Sequence, residues 1–201
     1  FTITYTLSNT FGCSGTDQFV VTVNAPPTVT AGSSRSVCLN EPPLDLAATA
    51  FPSGGSFFGP GVTGNNFNAL TAGVGTHTVF YTYTNAQGCS NTVSRTLTVT
   101  DLPAVNAGAN IFLCLNGNLQ DLSIGTSPTN GSWVGPGVTF GIFDPAAAGV
   151  GTHVARYTVV QSNGCSNFDE KVITVFPNLT VDAGPDIAVC SNAPVINLNI
   201  G

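Results

Sequence analysis

The sequence predicts an all-β fold made of tandem antiparallel β-sandwich modules, and three observations lead to this prediction. Motifs recur at a constant interval along the chain, apolar and polar residues alternate between the motifs, and Gly and Pro punctuate the alternating segments. Charged residues make up only 7% of the chain and hydrophobic residues 42%. That balance excludes an intrinsically disordered chain, which needs high charge and little apolar content.

A 76-residue repeat divides the chain into four segments. One cysteine series (Cys13, Cys89, Cys165) and a second (Cys38, Cys114, Cys190) both follow this interval, and 59–63 and 72–77 recur at 135–139 and 148–153. We therefore expect residues 1–25 to be the C-terminal strands of a preceding module. Residues 26–101 and 102–177 should be whole modules, and 178–201 the N-terminal strands of a following one. The chain is then expected to be a window on a longer array.

The segments that flank each Gly-Cys pair predict the main hairpin of a module. In the segment before it, one residue in two is expected to be buried, namely Ile3, Tyr5 and Leu7; Val79, Tyr81 and Tyr83; and Ala155, Tyr157 and Val159. After it, Val21 and Val23, Leu97 and Val99, and Ile173 and Val175 share a face. Short turns such as 85–88 join the two segments, which indicates an antiparallel hairpin.

A further inward-facing strand is predicted near the start of each module. Its alternating positions are Leu44, Leu46 and Ala48, then Gln120, Leu122 and Ile124, and then Ile196, Leu198 and Ile200. Several short strands at close spacing favour two packed antiparallel sheets in each module.

Composition also excludes several classes of function. Only four residues are Lys or Arg and the net charge is −6, so the chain has no electrostatic footprint for nucleic acid or an anionic membrane. No apolar stretch is long enough to span a bilayer. No Ser-His-Asp or Cys-His set is visible, and the six cysteines follow the repeat, so we expect structural cysteines and no enzyme.

The motifs that could bind a cofactor or a metal favour structural roles. The segment 59–64 matches G-x-G-x-x-G, but no helical periodicity follows it, which favours a turn and no cofactor. His77 and His153 share one repeat position that Phe1 also occupies, so a locally hydrogen-bonded histidine is expected there. Asp182 and Asp186 are the weak calcium candidates, with turn capping as the alternative.

One aromatic position has two interpretations. Trp133 stands where the preceding module has Phe57. The exchange of one aromatic for another in the middle of a module favours a core position, and a platform for stacking a sugar is the alternative.

Several motifs together resemble a known class of repeats. The first is Val37-Cys38-Leu39-Asn40, and the second is Gly55-Ser56-Phe57 followed by residues 59–62. The third is residues 72–77, and the fourth is Gly88-Cys89-Ser90. This combination is similar to the tandem Ig-like/PKD-like repeats of large adhesin and gliding-motility-associated surface proteins in Bacteroidetes-type bacteria. The resemblance implies Ig-like modules, extracellular display and type IX secretion, and it transfers no catalytic residues.

Two functions from different classes follow as expectations. The first is a structural repeat segment of an extracellular stalk or filament of a bacterial surface adhesin. Its partners would be neighbouring modules of the same chain and laterally associated copies. The alternative is that these are glycan- or protein-binding Ig-like accessory modules of a secreted multidomain enzyme. That alternative predicts exposed aromatic residues on one edge of each module, recurring at the same position of every repeat.

The cysteines predict a disulfide between modules. In an Ig-like topology, the hairpin turn that bears Cys89 or Cys165 lies at the opposite pole from Cys38 or Cys114. A strand of about 10 residues separates the poles by roughly 30 Å, whereas disulfide-bonded Cα atoms lie within about 7 Å. We therefore expect Cys38–Cys165, with Cys13, Cys89, Cys114 and Cys190 paired to modules outside the segment. Pairing within modules, Cys38–Cys89 and Cys114–Cys165, is the alternative.

Overall fold

The computed structural model describes residues 1–184 and 186–192. The chain divides into two compact units, Phe1–Leu102 and a second unit that begins at Pro103. In the described residues, regular structure is almost entirely β, with two four-residue helices and one 3-10 turn. The predicted all-β fold class is confirmed.

The first unit opens with a two-stranded ribbon. Strands β1 (Thr2–Ser8) and β2 (Ser14–Val20) pair antiparallel, and every residue of both strands is exposed. The prediction of a buried face is wrong here, since Ile3, Tyr5 and Leu7 are 45%, 63% and 65% exposed. Alternation alone does not bury a face, because burial also requires a second layer, and nothing in the described residues covers this ribbon.

Seven strands in two sheets form the module that follows. They are β3 (Arg35–Cys38), β4 (Leu44–Asp45), β5 (Ser56–Phe58), β6 (Val62–Thr63), β7 (Asn66–Phe67), β8 (Gly75–Thr84) and β9 (Ser90–Thr100). The larger sheet has the order β3-β9-β8-β5, and the smaller sheet has the order β4-β7-β6. Sheets of four and three strands give the strand count of an Ig-like β-sandwich.

The second module repeats this arrangement strand for strand. Its strands are β10 (Ile111–Cys114), β11 (Gln120–Asp121), β12 (Ser132–Val134), β13 (Val138–Thr139), β14 (Ile142–Phe143), β15 (Gly151–Val160) and β16 (Ser166–Phe176). Helix α1 (Ala69–Ala72) is matched by α2 (Pro145–Ala148). The sheet orders are β10-β16-β15-β12 and β11-β14-β13, and each element begins at the repeat position of its counterpart.

The main hairpin forms as the sequence predicts. β8 pairs with β9 over ten residue pairs, from Gly75 opposite Val99 to Thr84 opposite Ser90. At the turn, the Asn85 Oδ1 accepts hydrogen bonds from the backbone N–H groups of Gln87 and Cys89. An Asn side chain that replaces backbone partners in this way stabilises a tight turn.

The core of each module lies between its two sheets. In the first module, Val79, Tyr81 and Leu97 of the larger sheet pack with Leu46 and Phe67, and all five are almost fully buried. The predicted inner faces of β8, β9, β15 and β16 are therefore confirmed, with Tyr83 only half-buried. Val21 and Val23 follow β2 and are exposed.

Two predicted details of the sheets are wrong. The predicted strand at 44–48 ends after β4, and residues 47–49 form a 3-10 turn. The Asp45 Oδ1 accepts a hydrogen bond from the Ala47 N–H at 2.9 Å and turns the chain there. Leu46 and Leu122 are fully buried, but Ala48 and Ile124 are exposed. Ile196, Leu198 and Ile200 lie outside the described residues.

The second correction concerns strand direction. β3 runs parallel to β9 and β10 runs parallel to β16, so the larger sheets are mixed and not purely antiparallel.

Candidate functional site

The repeated features at the two ends of each module form the candidate functional site. Cys38 is the last residue of β3, opposite Thr100 at the end of β9. Cys114 occupies the same place in β10, opposite Phe176. These cysteines therefore lie at the end from which the chain leaves each module.

Cys89 and Cys165 lie at the other end of their modules. The Cys165 N–H donates to the Asn163 Oδ1 at 3.0 Å within the β15–β16 turn. Just beyond this turn, the Asn167 side-chain amide donates to the carbonyl oxygen of Pro103, where the module begins, at 3.0 Å. In the first module, the Asn91 amide donates to the Pro27 carbonyl oxygen at 2.9 Å. The hairpin turns thus lie at the end where the chain enters.

Cys38 and Cys165 are each disulfide-bonded, and the predicted pairing of these two with each other stays a prediction. The thiols of the other four cysteines are free, namely Cys13, Cys89, Cys114 and Cys190. The alternative pairs Cys38–Cys89 and Cys114–Cys165 are therefore not formed. The pairing of the four free cysteines with modules outside the segment stays a prediction.

In each module, a hydrogen bond to a side chain joins the first and last strands in addition to their backbone hydrogen bonds. The Thr96 N–H donates to the Ser34 Oγ at 3.2 Å, just before β3 begins. At the equivalent place, the Val172 N–H donates to the Asn110 Oδ1 at 2.9 Å. The alternating pattern did not predict this parallel pair, although a polar residue recurs at 34 and 110.

A buried tyrosine anchors the loop in the middle of each module. The Tyr81 hydroxyl donates to the Pro52 carbonyl oxygen and accepts a hydrogen bond from the Gly55 N–H at 2.9 Å. The Tyr157 hydroxyl makes the same bonds with Pro128 at 2.5 Å and Gly131 at 2.7 Å. Sequence analysis assigned both rings to the core but missed the role of their hydroxyl groups.

Both histidines are structural in the way that the sequence favoured. The Nε2–H of His77 donates to the Gly73 carbonyl oxygen at 2.8 Å, and its ring lies 6.2 Å from that of Phe67. The Nε2–H of His153 donates to the Gly149 carbonyl oxygen at 2.9 Å. Each histidine therefore closes the turn that precedes the long strand.

The segment that matches G-x-G-x-x-G forms no helix: residues 59–61 make a turn between β5 and β6, and β6 itself follows. Gly61 has a positive φ of 72°, and a Cβ there would lie 2.6 Å from the Ala72 Cβ. The glycine therefore allows the turn to contact α1. In the second module Phe140 stands where Gly64 is found, with a φ of 50°.

One of the two calcium candidates, Asp182, acts as a turn residue. The Asp182 Oδ1 accepts a hydrogen bond from the Gly184 N–H at 2.8 Å. Asn106 and Thr30, at the same repeat position, accept the equivalent bonds from Gly108 and Gly32. Among residues 1–184 and 186–192, no three His, Cys, Asp or Glu side chains come together as metal ligands.

One basic residue is buried at the same position of each module, which sequence analysis did not predict. Arg95 is 7% exposed and Lys171 is 2% exposed. Burial lowers the pKa of both groups, and the positive charge of Arg35 lowers the pKa of Arg95 further. The Lys171 Nζ donates to the Leu122 carbonyl oxygen at 3.2 Å.

Trp133 packs as the core interpretation predicted. The centroid of the Trp133 ring lies 4.9 Å from the centroid of the Tyr157 ring. The Lys171 Nζ lies 5.2 Å from the Trp133 centroid. The buried Nε1 of Trp133 has no hydrogen-bond partner. The ring also lines a cavity of about 570 Å³ with Asp121 and Phe140.

The fold and these sites define the chain as tandem Ig-like β-sandwich modules with a disulfide. No family model and no curated protein matches the chain. Among solved structures, it is similar to the I-band fragment I67–I69 from titin, at 14% identity and a TM-score of 0.28. That match covers 77% of this chain and 67% of the titin fragment. Within the described residues, no helix has the length and apolar character needed to cross a membrane.

Proposed function

We propose that the chain is a load-bearing repeat segment of an extracellular stalk or filament of a bacterial surface adhesin. The motif resemblance supports the finer assignment to Bacteroidetes-type surface proteins exported by type IX secretion. Neighbouring modules of the same chain would be its partners, together with laterally associated copies. The segment would have no enzymatic activity and no cofactor of its own.

The observation that carries the proposal is the parallel pairing of the first and last strands of each module. The chain enters at the start of β3 and leaves at the end of β9, and the two strands run in the same direction. Tension applied at entry and exit pulls these strands past each other along their length. The ladder bonds, including that from the Leu39 N–H to the Thr100 carbonyl oxygen, then resist together instead of opening one at a time.

The predicted Cys38–Cys165 disulfide would support the same role. Cys38 belongs to the module 26–101 and Cys165 to the module 102–177, so a bond between them would enclose residues 39–164. An oxidising compartment favours such a bond, which agrees with an extracellular site. Tension along the chain would pass through the bond and leave the enclosed residues unloaded.

Single-molecule pulling from the two ends of the chain tests the proposal. Reduced chains should extend further on unfolding than oxidised chains by roughly 420–450 Å, which is the contour length of residues 39–164 at about 3.3–3.6 Å each. Reduced modules should also unfold at higher force when pulled along the chain than when pulled between the two strands of the β8–β9 hairpin. Equal forces in the two directions would contradict a load-bearing role.

A second candidate function is glycan binding by the module 102–177. The cavity beside Trp133 is lined by Tyr157, Asp121 and the fully exposed Phe140, a mixture of aromatic and polar groups that suits a sugar. The equivalent of Phe140 in the other module is Gly64, so this aromatic does not recur in every repeat as the accessory-module hypothesis requires. Calorimetry with neutral oligosaccharides tests this candidate, and loss of binding in Phe140→Gly would support it.

A further inference from the structure

A second cavity, in the module 26–101, is lined by two arginines. It has a volume of about 550 Å³, and its polar lining includes Thr30, Ser33, Ser34, Arg35, Asp45 and Arg95. All of these residues belong to one compact unit. Two guanidinium groups on one cavity are unusual in a chain that contains only four basic residues.

Arg95 is buried without a full set of partners. Its Nη1 donates to the Thr49 Oγ1 at 3.1 Å and to the Ser33 carbonyl oxygen at 3.4 Å. Its Nε and Nη2 are buried and have no hydrogen-bond partner. A buried guanidinium retains its charge and needs an acceptor for each N–H group, and the described residues supply none for these two atoms.

The acidic groups near the cavity form no ion pair with Arg95. The Asp45 Oδ1 accepts from the Ala47 N–H, and the Glu41 carboxylate pairs with the Nη2 of Arg35 at 3.6 Å across exposed side chains. In the described residues, the other ion pair joins Arg156 and Glu170. No carboxylate in the described part of the chain therefore pairs with Arg95.

In the second module, the buried cation at this position has both a hydrogen-bond acceptor and an aromatic ring as partners. Lys171 replaces Arg95, donates to the Leu122 carbonyl oxygen and lies over the Trp133 ring. The charge of Asp121 raises its pKa and partly opposes the effect of burial. The counterpart of Arg35 is Ile111, so this module lacks the second cation.

We propose that the cavity beside Arg95 and Arg35 binds an oxyanion, a carboxylate or sulfate group carried by a ligand the size of one acidic sugar residue. The planar guanidinium of Arg95 matches either group with two parallel hydrogen bonds. Arg35 supplies a second positive charge at the rim, and the hydroxyl groups of Ser33 and Thr30 serve the rest of the ligand. This binding function is separate from the load-bearing role.

Nitrogen-15 NMR titration of the full chain tests this site, with sodium glucuronate, acetate and sulfate as probes at constant ionic strength. Saturable shifts are expected at the Arg95 Nε–H and at the backbone amides of 32–34. The amides of 108–110 in the second module should not move. The probe that binds most tightly identifies the group that the site prefers.

Three variants decide the outcome. Arg35→Ser should weaken binding about tenfold, which corresponds to the loss of one charged hydrogen bond. Arg156→Ser, which removes another exposed arginine from the same chain, should leave affinity unchanged. If Arg95→Lys folds, it should also bind at least tenfold more weakly. Shifts that do not saturate, or equal weakening by Arg156→Ser, would mean an adventitious ion only and overturn the proposal.

Discussion

Removal of the Tyr81 hydroxyl by Tyr81→Phe should destabilise the module 26–101. The hydroxyl satisfies two backbone groups of one loop, the Pro52 carbonyl and the Gly55 N–H. The phenyl ring of the variant would keep its packing on Phe57, whose centroid lies 4.6 Å away. The substitution therefore isolates the hydrogen bonds from the burial of the ring.

The expected cost follows from the number of groups left without partners. A buried donor or acceptor that loses its partner costs about 1–3 kcal/mol. Because the bonds are partly buried, we expect the free energy of unfolding of this module to fall by about 2 kcal/mol. For a module of this size the melting temperature should fall by roughly 10 °C.

Urea unfolding followed by assigned NMR resonances measures the stability of each module separately. Tyr157→Phe should reproduce the cost in the module 102–177, where Tyr157 makes the same two bonds. Tyr5→Phe is the matched control, because Tyr5 occupies the same repeat position but is 63% exposed, and its change should stay within about 0.5 kcal/mol. If Tyr81→Phe costs no more than Tyr5→Phe, the hydroxyl does not anchor the loop.

Three further predictions concern backbone fit, a buried charge and the cysteines. Gly61→Ala should cost about 2 kcal/mol or more in urea unfolding because its Cβ would meet α1, whereas Gly64→Ala, with open space around it, should cost about 1 kcal/mol. Burial lowers the pKa of Lys171 below 10.5, so between that lowered pKa and 10.5 the unfolded chain binds a proton that the native chain does not. The free energy of unfolding of the module should therefore rise with pH in that window, and Lys171→Met should reduce the rise; an unchanged pH profile would refute this. Alkylation of the native oxidised chain, read by mass spectrometry, should modify Cys13, Cys89, Cys114 and Cys190 and spare the disulfide-bonded pair until a reductant is added.

The long strands could be predicted because their burial follows local alternation. Val79 and Tyr81 lie on the inner face of β8, and the same period places Leu97 on the inner face of β9. The same rule failed for Tyr5, since a strand pattern specifies which side chains share a face but not whether another sheet covers that face. At Ala48 a local side-chain bond from Asp45 turned the chain before the alternation ended.

The buried cations and the parallel strand pair could not be derived from periodicity. Arginine and lysine are usually exposed, so the alternation of apolar residues in β9 and β16 does not by itself predict burial at 95 and 171. Their burial depends on tertiary partners, such as Thr49 for Arg95 and Leu122 for Lys171. The available signal was that two of the four basic residues occupy one repeat position. A repeated charge in a nearly uncharged chain indicates a structural or binding role.

The parallel strands and the disulfide would protect a module in different ways, and the position of Cys38 connects them. Cys38 ends β3, so tension that enters at Arg35 travels along this one short strand before it reaches the sulfur. If Cys38 is bonded to Cys165 as predicted, tension in an oxidised chain would pass to Cys165, and the ladder between β3 and β9 would carry almost none of it. In a reduced chain the same tension must cross that ladder in shear. The ladder would therefore be the reserve that keeps a module folded when its disulfide is missing, and its strength would matter most in reduced chains.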